Sequence, residues 1–451
     1  MNYHFIAIGG SAMHNIAIAL KQKGEEVSGS DDQIFEPSRS RLKDNGILPE
    51  QMGWYPDKIT NAIDVIVLGM HAKPDNPELL KAQDLGLKIY SYPELLFEHS
   101  KHKTRVVIAG SHGKTTITSM VLHVLDYHDR PTDFMVGAQL EGFDNMVKLT
   151  EENDFILLEG DEYLSSAIDR RPKFLWYQPN IALISGIAWD HVNVFPDFDT
   201  YKQQFVEFTE CMTNGSTLVY FENDEVLKDI AIHSKKPTRK HSYSIPNHQI
   251  IDGETYLKTD EGPMPIEVFG NHNLQNIAGA KWICQHMGVD EEGFYEAISS
   301  FKGASKRLEK VIQTPNAIVY KDYAHSPSKV KATTEAVKQQ FPQKHLCVCL
   351  ELHTYSSLTA SFLTEYKHTL DKADEVVIYY SKKALEIKRM PELEQQQIED
   401  SFGRADLRVF TNAEDFHTYL KSKRFNNHVL LLMSSGNYGG LNFDELKQWV
   451  N

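Results

Sequence analysis

The segment GSHGKTT, residues 110–116, follows an apolar run and precedes a helical pattern. Backbone N–H groups of such a loop, together with the N-terminus of the following helix, form a cradle for an anion. In a phosphate loop the lysine reaches the terminal phosphates and the next hydroxyl binds Mg²⁺, which are the roles predicted for Lys114 and Thr115. Ile108 stands where the full motif has its first glycine, so the match is incomplete. The strand, loop and helix nevertheless predict a site for a nucleoside triphosphate.

Acidic residues at the end of the next apolar strand supply what a magnesium site needs. A phosphate-loop enzyme requires an acid on a neighbouring strand to hold the metal. The segment DFILLEGDE, residues 154–162, contains Glu159, which we predict to be that ligand. His191, in the WDH that ends the following strand, is a second candidate. Because open α/β sheets bind ligands at the carboxyl ends of their strands, we expect these side chains to converge.

A second glycine turn, GGSAMHN, follows the strand at the start of the sequence. Asp31 lies roughly 20 residues further on, the spacing of an acid that binds ribose hydroxyls in dinucleotide-binding folds. The third glycine of that fingerprint is absent. The turn predicts a diphosphate site, and by itself it leaves both a sugar nucleotide and a nicotinamide cofactor open.

Strands and helices alternate along the whole chain, which predicts an α/β fold of parallel sheets covered by helices. The 451 residues correspond to about three domains. We predict a Rossmann-like sugar-nucleotide domain at 1–103, a central phosphate-loop domain at 104–302 and a Rossmann-like acceptor domain at 303–451. The last boundary falls at a short segment of small and polar residues, a plausible hinge.

The composition excludes several classes of protein. The formal net charge is −15, which argues against a general nucleic-acid binder because such a protein needs basic residues to meet phosphates. No stretch reaches the ~18–20 apolar residues of a membrane span, so we predict no membrane partner. The four cysteines are scattered, so a disulfide scaffold is not expected and the predicted compartment is the cytoplasm. Cys347 and Cys349 alternate on an apolar strand, which favours burial over metal binding.

Six motifs together resemble the Mur ligases, the ATP-dependent amide-forming enzymes of the bacterial cell wall. They are GSHGKTT (110–116), EGDE (159–162), WDH (189–191), GNHNLQN (270–276), KRLE (306–309) and KDYAHSP (321–327). The resemblance covers essentially the whole chain. It implies three domains that bind a UDP-sugar, ATP and an acceptor, and it implies that a carboxylate is activated as an acyl phosphate before an amine attacks it.

The resemblance also implies roles for individual residues. The implied ATP contacts are Gly110, Ser111, His112, Gly113, Lys114, Thr115, Thr116, Asn273, Asn276, Arg307, Asp322 and His325. The implied Mg²⁺ ligands are Thr115, Glu159 and His191, and the implied catalytic residues are Lys114, Glu159, His191 and Arg307. The implied UDP-sugar contacts are Gly10, Ser11 and Met13, and the spacing described above adds Asp31. Phe205 stands where other branches carry a carbamylated lysine, so no carbamate is expected.

Two branches of this family act on UDP-N-acetylmuramate. One adds L-alanine, and the other attaches the recycled tripeptide L-alanyl-γ-D-glutamyl-meso-diaminopimelate. The segments DRRPKFLWYQP (169–179) and MSSGNYGG (433–440) resemble the tripeptide branch, which we favour. The segment CLELHTYSS (349–357) replaces an arginine-containing segment of both branches. An unrelated phosphate-loop ATPase or kinase is the third alternative.

Overall fold

The computed structural model describes residues 1–137, 140, 143–189, 194–304, 307–388 and 390–450. The chain forms two compact units. The first unit comprises Met1–Trp189, Asp197–Ser244 and Gly279–Ala297. The second unit consists mainly of Ile245–Ala278 and Ile298–Asn451. Among the described residues no helix is long and apolar enough to cross a membrane.

The first unit opens with a four-stranded parallel sheet in the order β2-β1-β3-β4. Its strands are β1 (Asn2–Ile6), β2 (Glu26–Ser30), β3 (Val65–Leu68) and β4 (Lys88–Ser91), and its helices are α1 (Ser11–Gln22), α2 (Ser38–Asp44), α3 (Pro77–Asp84) and α4 (Tyr92–Ser100). All four residues of β3 are buried, as expected of a central parallel strand. Asn76 caps α3 by accepting from two backbone N–H groups, those of Glu78 and Leu79.

A seven-stranded sheet forms the second sheet of the first unit, in the order β11-β10-β9-β5-β8-β6-β7. Its strands are β5 (Thr104–Ala109), β6 (Asp133–Met135), β7 (Val147–Lys148), β8 (Phe155–Gly160), β9 (Ile181–Ile184), β10 (Thr217–Phe221) and β11 (Arg239–Tyr243), and its helices are α5 (Lys114–Tyr127), α6 (Phe198–Cys211) and α7 (Glu225–His233). Strand β5 lies between β8 and β9 and is parallel to both. The segments that follow these three strands therefore share one edge of the sheet.

The second unit contains a small antiparallel sheet and a larger mixed sheet. The small sheet is β12 (His248–Ile251), β13 (Glu254–Thr259) and β14 (Gly262–Ile266). The larger sheet has the order β15-β16-β20-β17-β18-β19, and β15 is antiparallel to β16. Its strands are β15 (Glu309–Gln313), β16 (Ala317–Asp322), β17 (His345–Glu351), β18 (Glu375–Tyr379), β19 (Arg408–Phe410) and β20 (His428–Met433).

Helices complete the chain. They are α8 (Asn271–His286), α9 (Glu291–Ile298), α10 (Pro327–Gln340), α11 (Ala360–Leu363), α12 (Lys382–Lys388), α13 (Gln395–Phe402), α14 (Ala413–Ser422) and α15 (Phe443–Trp449). Helix α10 begins at Pro327, and the predicted α/β pattern of parallel strands and helices is confirmed. Cys347 and Cys349 are fully buried on β17 with free thiols, which confirms that they belong to the core. The antiparallel strands β12–β14 and β15 were not predicted.

Candidate active site

The phosphate loop joins β5 to α5 and depends on two glycines. Gly110 has φ 122°, and a Cβ at this position would lie 2.3 Å from Ser185 Oγ. Gly113 caps α5 in the left-handed conformation, with φ 78°. Side chains at either position would be strained. The loop therefore brings its backbone close to β9 and leads directly into the N-terminus of α5, the geometry of an anion cradle.

Lys114, the first residue of α5, carries the positive charge of the loop. Its Nζ donates to the backbone oxygen of Gly110 and to Glu162 Oε2, each at 2.7 Å. Burial alone would lower the pKa of the Lys114 ammonium, but the carboxylates of Glu162 and Asp161 outweigh it and raise that pKa. The lysine is therefore held in its charged form beside the loop, as phosphate binding requires.

Thr115 and Glu159 form the described part of the predicted metal site. Thr115 Oγ1 lies 3.3 Å from Glu159 Oε2. A Cβ on Gly137 would lie 2.9 Å from the same carboxylate oxygen, so the missing side chain leaves room for Glu159. Hydroxyl and carboxylate oxygens are the donors that Mg²⁺ prefers, and these residues fit that ion. The other predicted ligand, His191, lies outside the described residues.

Within the described ranges, no group of three or more His, Cys, Asp or Glu side chains could hold a metal ion. In nucleotide sites Mg²⁺ usually takes several of its ligands from phosphate oxygens and water, beside one or two protein oxygens.

Glu162 is a site residue to which the sequence assigned no separate role. Its side chain is 1% exposed. Its Oε1 accepts from the hydroxyl of Tyr201 at 2.8 Å, and Tyr201 lies 2.8 Å from Ser111 Oγ. Ser111 Oγ also accepts from the backbone N–H of Ala188 at 2.8 Å. A continuous chain of hydrogen bonds therefore links the phosphate loop, the end of β8 and helix α6.

Asp161 anchors a hairpin at the end of β8. Its Oδ2 lies 2.6 Å from Lys173 Nζ. Burial alone would raise the pKa of Asp161, but Lys173 and Lys114 outweigh it and lower that pKa to about 2. The backbone N–H of Phe174 donates to the Asp161 oxygen, and that of Lys173 to the Tyr163 oxygen. The segment 169–179 therefore contributes the second arm of a hairpin that is rooted at the carboxyl end of β8.

The tip of this hairpin is held by its own side chains. The guanidinium of Arg171 lies 4.2 Å from the ring centroid of Trp176. Asp169 accepts from the Arg171 guanidinium and from Trp176 Nε1 at 2.8–3.0 Å. Tyr177, just beyond, is 1% exposed and belongs to the core. Arg170 and Arg171 remain exposed at the surface.

The glycine turn near the N-terminus places its predicted residues at the start of α1. Gly10 precedes the helix, which begins at Ser11. Asp31 Oδ2 accepts from the backbone N–H of Gly9 at 2.7 Å, so this carboxylate closes the turn itself. Met13 is 4% exposed and packs inward. Diphosphate binding at Gly10 and Ser11, and ribose binding by Asp31, stay predictions.

The second unit brings together several of the residues that the resemblance implies for ATP. Asp322, at the end of β16, is 7% exposed and accepts from Thr333 Oγ1 at 2.6 Å. The guanidinium of Arg307 lies 4.7 Å from the ring centroid of Tyr323. The ring centroid of His325 lies 5.1 Å from the same tyrosine ring. These three residues gather near the carboxyl end of one strand.

Asn273 and Asn276 lie one turn apart on α8 and are both buried. Asn273 Nδ2 donates to the backbone oxygen of Phe269 at 2.9 Å. The turn before α8 contains Gly270, with φ 85°, where a Cβ would lie 2.4 Å from that of Ala336. The motif GNHNLQN thus has a structural function in fixing the start of α8, and its contact with a nucleotide stays a prediction.

The segment 349–357, which lacks arginine, contains a carboxylate that the loop after β20 contacts, that of Glu351. Glu351, at the end of β17, is 4% exposed. It accepts from Ser434 Oγ and, at 2.8 Å, from the backbone N–H of Tyr438. A Cβ on Gly436 would lie 2.8 Å from Glu351 Oε2. The segment 349–357, which departs from the family pattern, and the segment 433–440, which resembles the tripeptide branch, are therefore one feature, a glycine-containing loop folded over a buried glutamate.

Comparison with known protein families identifies the class. The Mur ligase family catalytic domain matches residues 2–104, the Mur ligase middle domain residues 108–284, and the Mur ligase glutamate ligase domain residues 306–436. The chain belongs to the Mur ligase family. It is an ATP-dependent ligase that forms amide bonds in peptidoglycan biosynthesis, and its α/β fold has three domains, as predicted. This membership excludes the alternative of an unrelated ATPase or kinase.

Individual relatives divide between two acceptors. UDP-N-acetylmuramate–L-alanine ligases from Caldicellulosiruptor bescii and Sulfurihydrogenibium sp. are 34% and 31% identical over 395 and 382 residues. These alignments cover 83% of this chain, and 83% and 81% of the two relatives. This chain is also similar to proteins that are named for joining a peptide.

The solved structures that this chain resembles include both alanine ligases and peptide ligases. The murein peptide ligase of Psychrobacter arcticus has a TM-score of 0.67 at 21% identity, covering 100% of this chain and 99% of that one. The UDP-N-acetylmuramate–alanine ligase of Thermotoga maritima has a TM-score of 0.70 at 19% identity, covering 100% and 98%. The UDP-N-acetylmuramate:L-alanyl-γ-D-glutamyl-meso-diaminopimelate ligase of Neisseria meningitides has a TM-score of 0.60 at 26% identity, covering 69% and 99%.

Proposed function

We propose that this ligase joins UDP-N-acetylmuramate to the tripeptide L-alanyl-γ-D-glutamyl-meso-diaminopimelate, with ATP and Mg²⁺, in the recycling of cell-wall peptides in the cytoplasm. The carboxylate of the muramate attacks the γ-phosphorus of ATP, the bond to the β-phosphate breaks, ADP leaves, and the carboxylate becomes an acyl phosphate. The free amine of the tripeptide's alanine then attacks the acyl carbon, and phosphate leaves. Activation is needed because a free carboxylate is a poor acylating agent.

Lys114 has the central part in the first step. Its ammonium stabilises the negative charge on the transferring phosphoryl group, and the loop backbone orients the phosphates. Bound Mg²⁺, held by Thr115 and Glu159, would supply additional neutralisation of phosphate charge. Arg307 is retained as a second cation for the phosphoryl group, and this role rests on the resemblance alone.

The observation that carries the choice of acceptor is the environment of Glu351. Free L-alanine has a carboxylate on the carbon that bears its reacting amine, and a site for it needs a cation nearby. In the tripeptide the same position is a neutral amide. The segment 349–357 contains no arginine or lysine, and it presents Glu351, with His353 at 3.8 Å, at the end of β17. This chemistry suits a peptide better than a free amino acid.

The second candidate is the addition of L-alanine to UDP-N-acetylmuramate. It is favoured by the names of relatives that are 31% and 34% identical over most of the chain. Those relatives share the activation chemistry, so Lys114 and Glu159 do not separate the two candidates. Only the acceptor half of the reaction distinguishes them.

The test is a comparison of acceptors on the native protein. Phosphate release is followed with ATP, Mg²⁺ and UDP-N-acetylmuramate, and either L-alanine or the tripeptide is added. The product is then identified by mass spectrometry. We expect kcat/KM for the tripeptide to exceed that for L-alanine by about 100-fold, the factor expected for one unpaired carboxylate near a buried acid. Equal or better turnover with L-alanine would overturn the proposal in favour of the second candidate.

The variant Glu351→Gln tests whether Glu351 causes the preference for the tripeptide over L-alanine. Glu351→Gln removes the negative charge and keeps the shape, so it should narrow the ratio of the two kcat/KM values. Glu365→Gln changes an exposed glutamate of the same unit and should leave the ratio unchanged. A ratio that is identical in both variants would show that Glu351 does not contribute to acceptor choice.

A further inference from the structure

Two glutamates three residues apart at the end of β8 have different partners. Glu159 faces Thr115, the pair described above as oxygen donors for a metal. Glu162 instead contacts the ammonium of Lys114 at 2.7 Å. The mechanism proposed above uses Glu159 and Lys114 but gives Glu162 no task. A buried carboxylate placed against the phosphate-binding lysine needs an explanation, because it opposes the binding of another anion there.

The position of Glu162 is fixed by residues on other elements. Tyr201, on α6, is fully buried and donates to Glu162 Oε1. The Tyr201 hydroxyl in turn accepts from Ser111 of the phosphate loop, since its own proton goes to the glutamate. These contacts hold the carboxylate in place independently of Lys114. An incoming phosphate therefore meets a lysine and a glutamate together.

Other charged side chains around the loop also oppose the binding of an anion. Among the described residues, the charged side chains joined here by ion pairs or by the Thr115 contact are two lysines and three carboxylates: Lys114, Lys173, Glu159, Asp161 and Glu162. The sum of these five charges is negative, although the loop is the proposed site for a nucleoside triphosphate. A cation that comes with the phosphates would offset this negative charge.

We propose that Glu162 makes nucleotide binding at this loop depend on a divalent cation, so that the magnesium complex of ATP is accepted and the metal-free nucleotide is rejected. Glu162 is a positioning residue that acts through Lys114. It offsets the attraction of Lys114 for free phosphate, and the bound cation restores that attraction at Glu159. The inference rests on the proposed magnesium requirement and does not depend on the identity of the acceptor.

The test measures nucleotide affinity, not turnover. ADP binding to the full-length protein is measured by titration calorimetry, once with excess Mg²⁺ and once with EDTA, in the absence of UDP-sugar and acceptor. Wild-type protein should bind the magnesium complex at least tenfold more tightly than metal-free ADP. If the wild type binds both forms alike, the proposal is overturned whatever the variants do.

Variants assign the effect to the charge of Glu162. Glu162→Gln should bind metal-free ADP about tenfold more tightly than wild type and bind the magnesium complex within about threefold, because one negative charge is removed near the phosphates. Glu162→Asp and Tyr201→Phe keep the charge and should keep the wild-type preference for magnesium. If Glu162→Gln weakens both forms equally, Glu162 only supports the fold of the loop and the proposal is wrong.

Glu159→Gln separates this inference from the metal site on which it rests. That variant should lose affinity for the magnesium complex and not gain affinity for metal-free ADP. If Glu159→Gln changes neither the affinity for the magnesium complex nor that for metal-free ADP, the magnesium site itself is wrongly placed. If Glu159→Gln behaves as expected and Glu162→Gln does not, only the role of Glu162 fails.

Discussion

Replacement of Lys114 with methionine should cost both catalysis and stability, because this lysine is also the partner of a buried carboxylate. The side chains of Lys114 and Glu162 are 17% and 1% exposed. Lys114→Met keeps the aliphatic chain and removes the charge, so Glu162 loses its ion pair. Breaking a buried pair from one side costs ~3–5 kcal/mol, and the remaining bond from Tyr201 to Glu162 places our expectation near ~3 kcal/mol. The same loss of charge should lower kcat by about 10²–10³.

The assay has to report on the first unit. Urea unfolding of nucleotide-free protein, followed by hydrogen exchange of the α5 amides, gives the free energy of unfolding where the pair lies. The double variant Lys114→Met/Glu162→Gln should recover at least half of the lost stability, because no buried charge is left unpaired. It should not recover ligase activity. If Lys114→Met unfolds within ~1 kcal/mol of wild type, the pair does not bear on stability and the reasoning is refuted.

Three further predictions concern other parts of the site and scaffold. Burial would raise the pKa of Asp133, but hydrogen bonds outweigh it and lower that pKa to about 2. The groups that lower it are His99, Thr150 and Lys103. Because the pKa of Asp133 in the folded protein lies below its unfolded value, about 2 kcal/mol of the stability that is present above pH ~4 should be lost as the pH falls towards 2. Asp133→Asn should flatten the dependence of the unfolding free energy on pH in acid-unfolding curves. An unchanged slope in this variant would contradict the prediction. Gly110→Ala should abolish ADP binding in calorimetry, because its Cβ would meet Ser185. Gly215 also has a positive φ but is surrounded by open space, so Gly215→Ala should leave ADP binding intact and cost only ~1 kcal/mol of stability. Equal effects of the two glycine variants on ADP binding would refute the steric argument. Arg307→Ala should lower kcat about 100-fold or more in the phosphate-release assay with little change in the unfolding midpoint, and near-normal turnover would remove Arg307 from the catalytic residues.

Much of the site could be predicted because its signals are local. The phosphate loop needs a strand, two glycines and a helix start within a dozen residues, and all three are visible in GSHGKTT and its flanks. Glu159 follows from the same rule, since a parallel neighbour must present an acid at the shared edge of the sheet. The predicted strands around Thr104–Ala109 and Phe155–Gly160 were confirmed for this reason.

Contacts that join distant segments could not be predicted in this way. Glu162 and Tyr201 are 39 residues apart and meet only because α6 packs beside the end of β8. Nothing in the local pattern of either residue indicates the other. Asp31 illustrates a different difficulty, because its spacing suggests ribose binding while its carboxylate is already bonded to the backbone of the turn. An acid with the right spacing can serve the loop instead of, or as well as, a ligand.

The small antiparallel sheet did leave a signal in the sequence. Asp252 and Gly253 have φ values of 51° and 80°, which are typical of the two central residues of a hairpin turn between antiparallel strands. The pair stands between HQII and ETYLKT, which form β12 and β13. A search for this turn would have found the hairpin. The general alternation of strands and helices concealed it, because that pattern predicts parallel pairing.

Acceptor choice can be argued from repulsion as well as attraction. A carboxylate about 5 Å from a second, buried carboxylate costs ~3 kcal/mol at the effective dielectric constant of a protein, which is a factor of about 100 in binding. Glu351 is a buried carboxylate whose partners include Ser434, Tyr438 and His353. If the proposed acceptor is correct, exclusion of L-alanine would need no dedicated contact with the distant end of a tripeptide. A missing arginine and one buried glutamate would disfavour the smaller acceptor, and selection against a competitor is a common route to specificity.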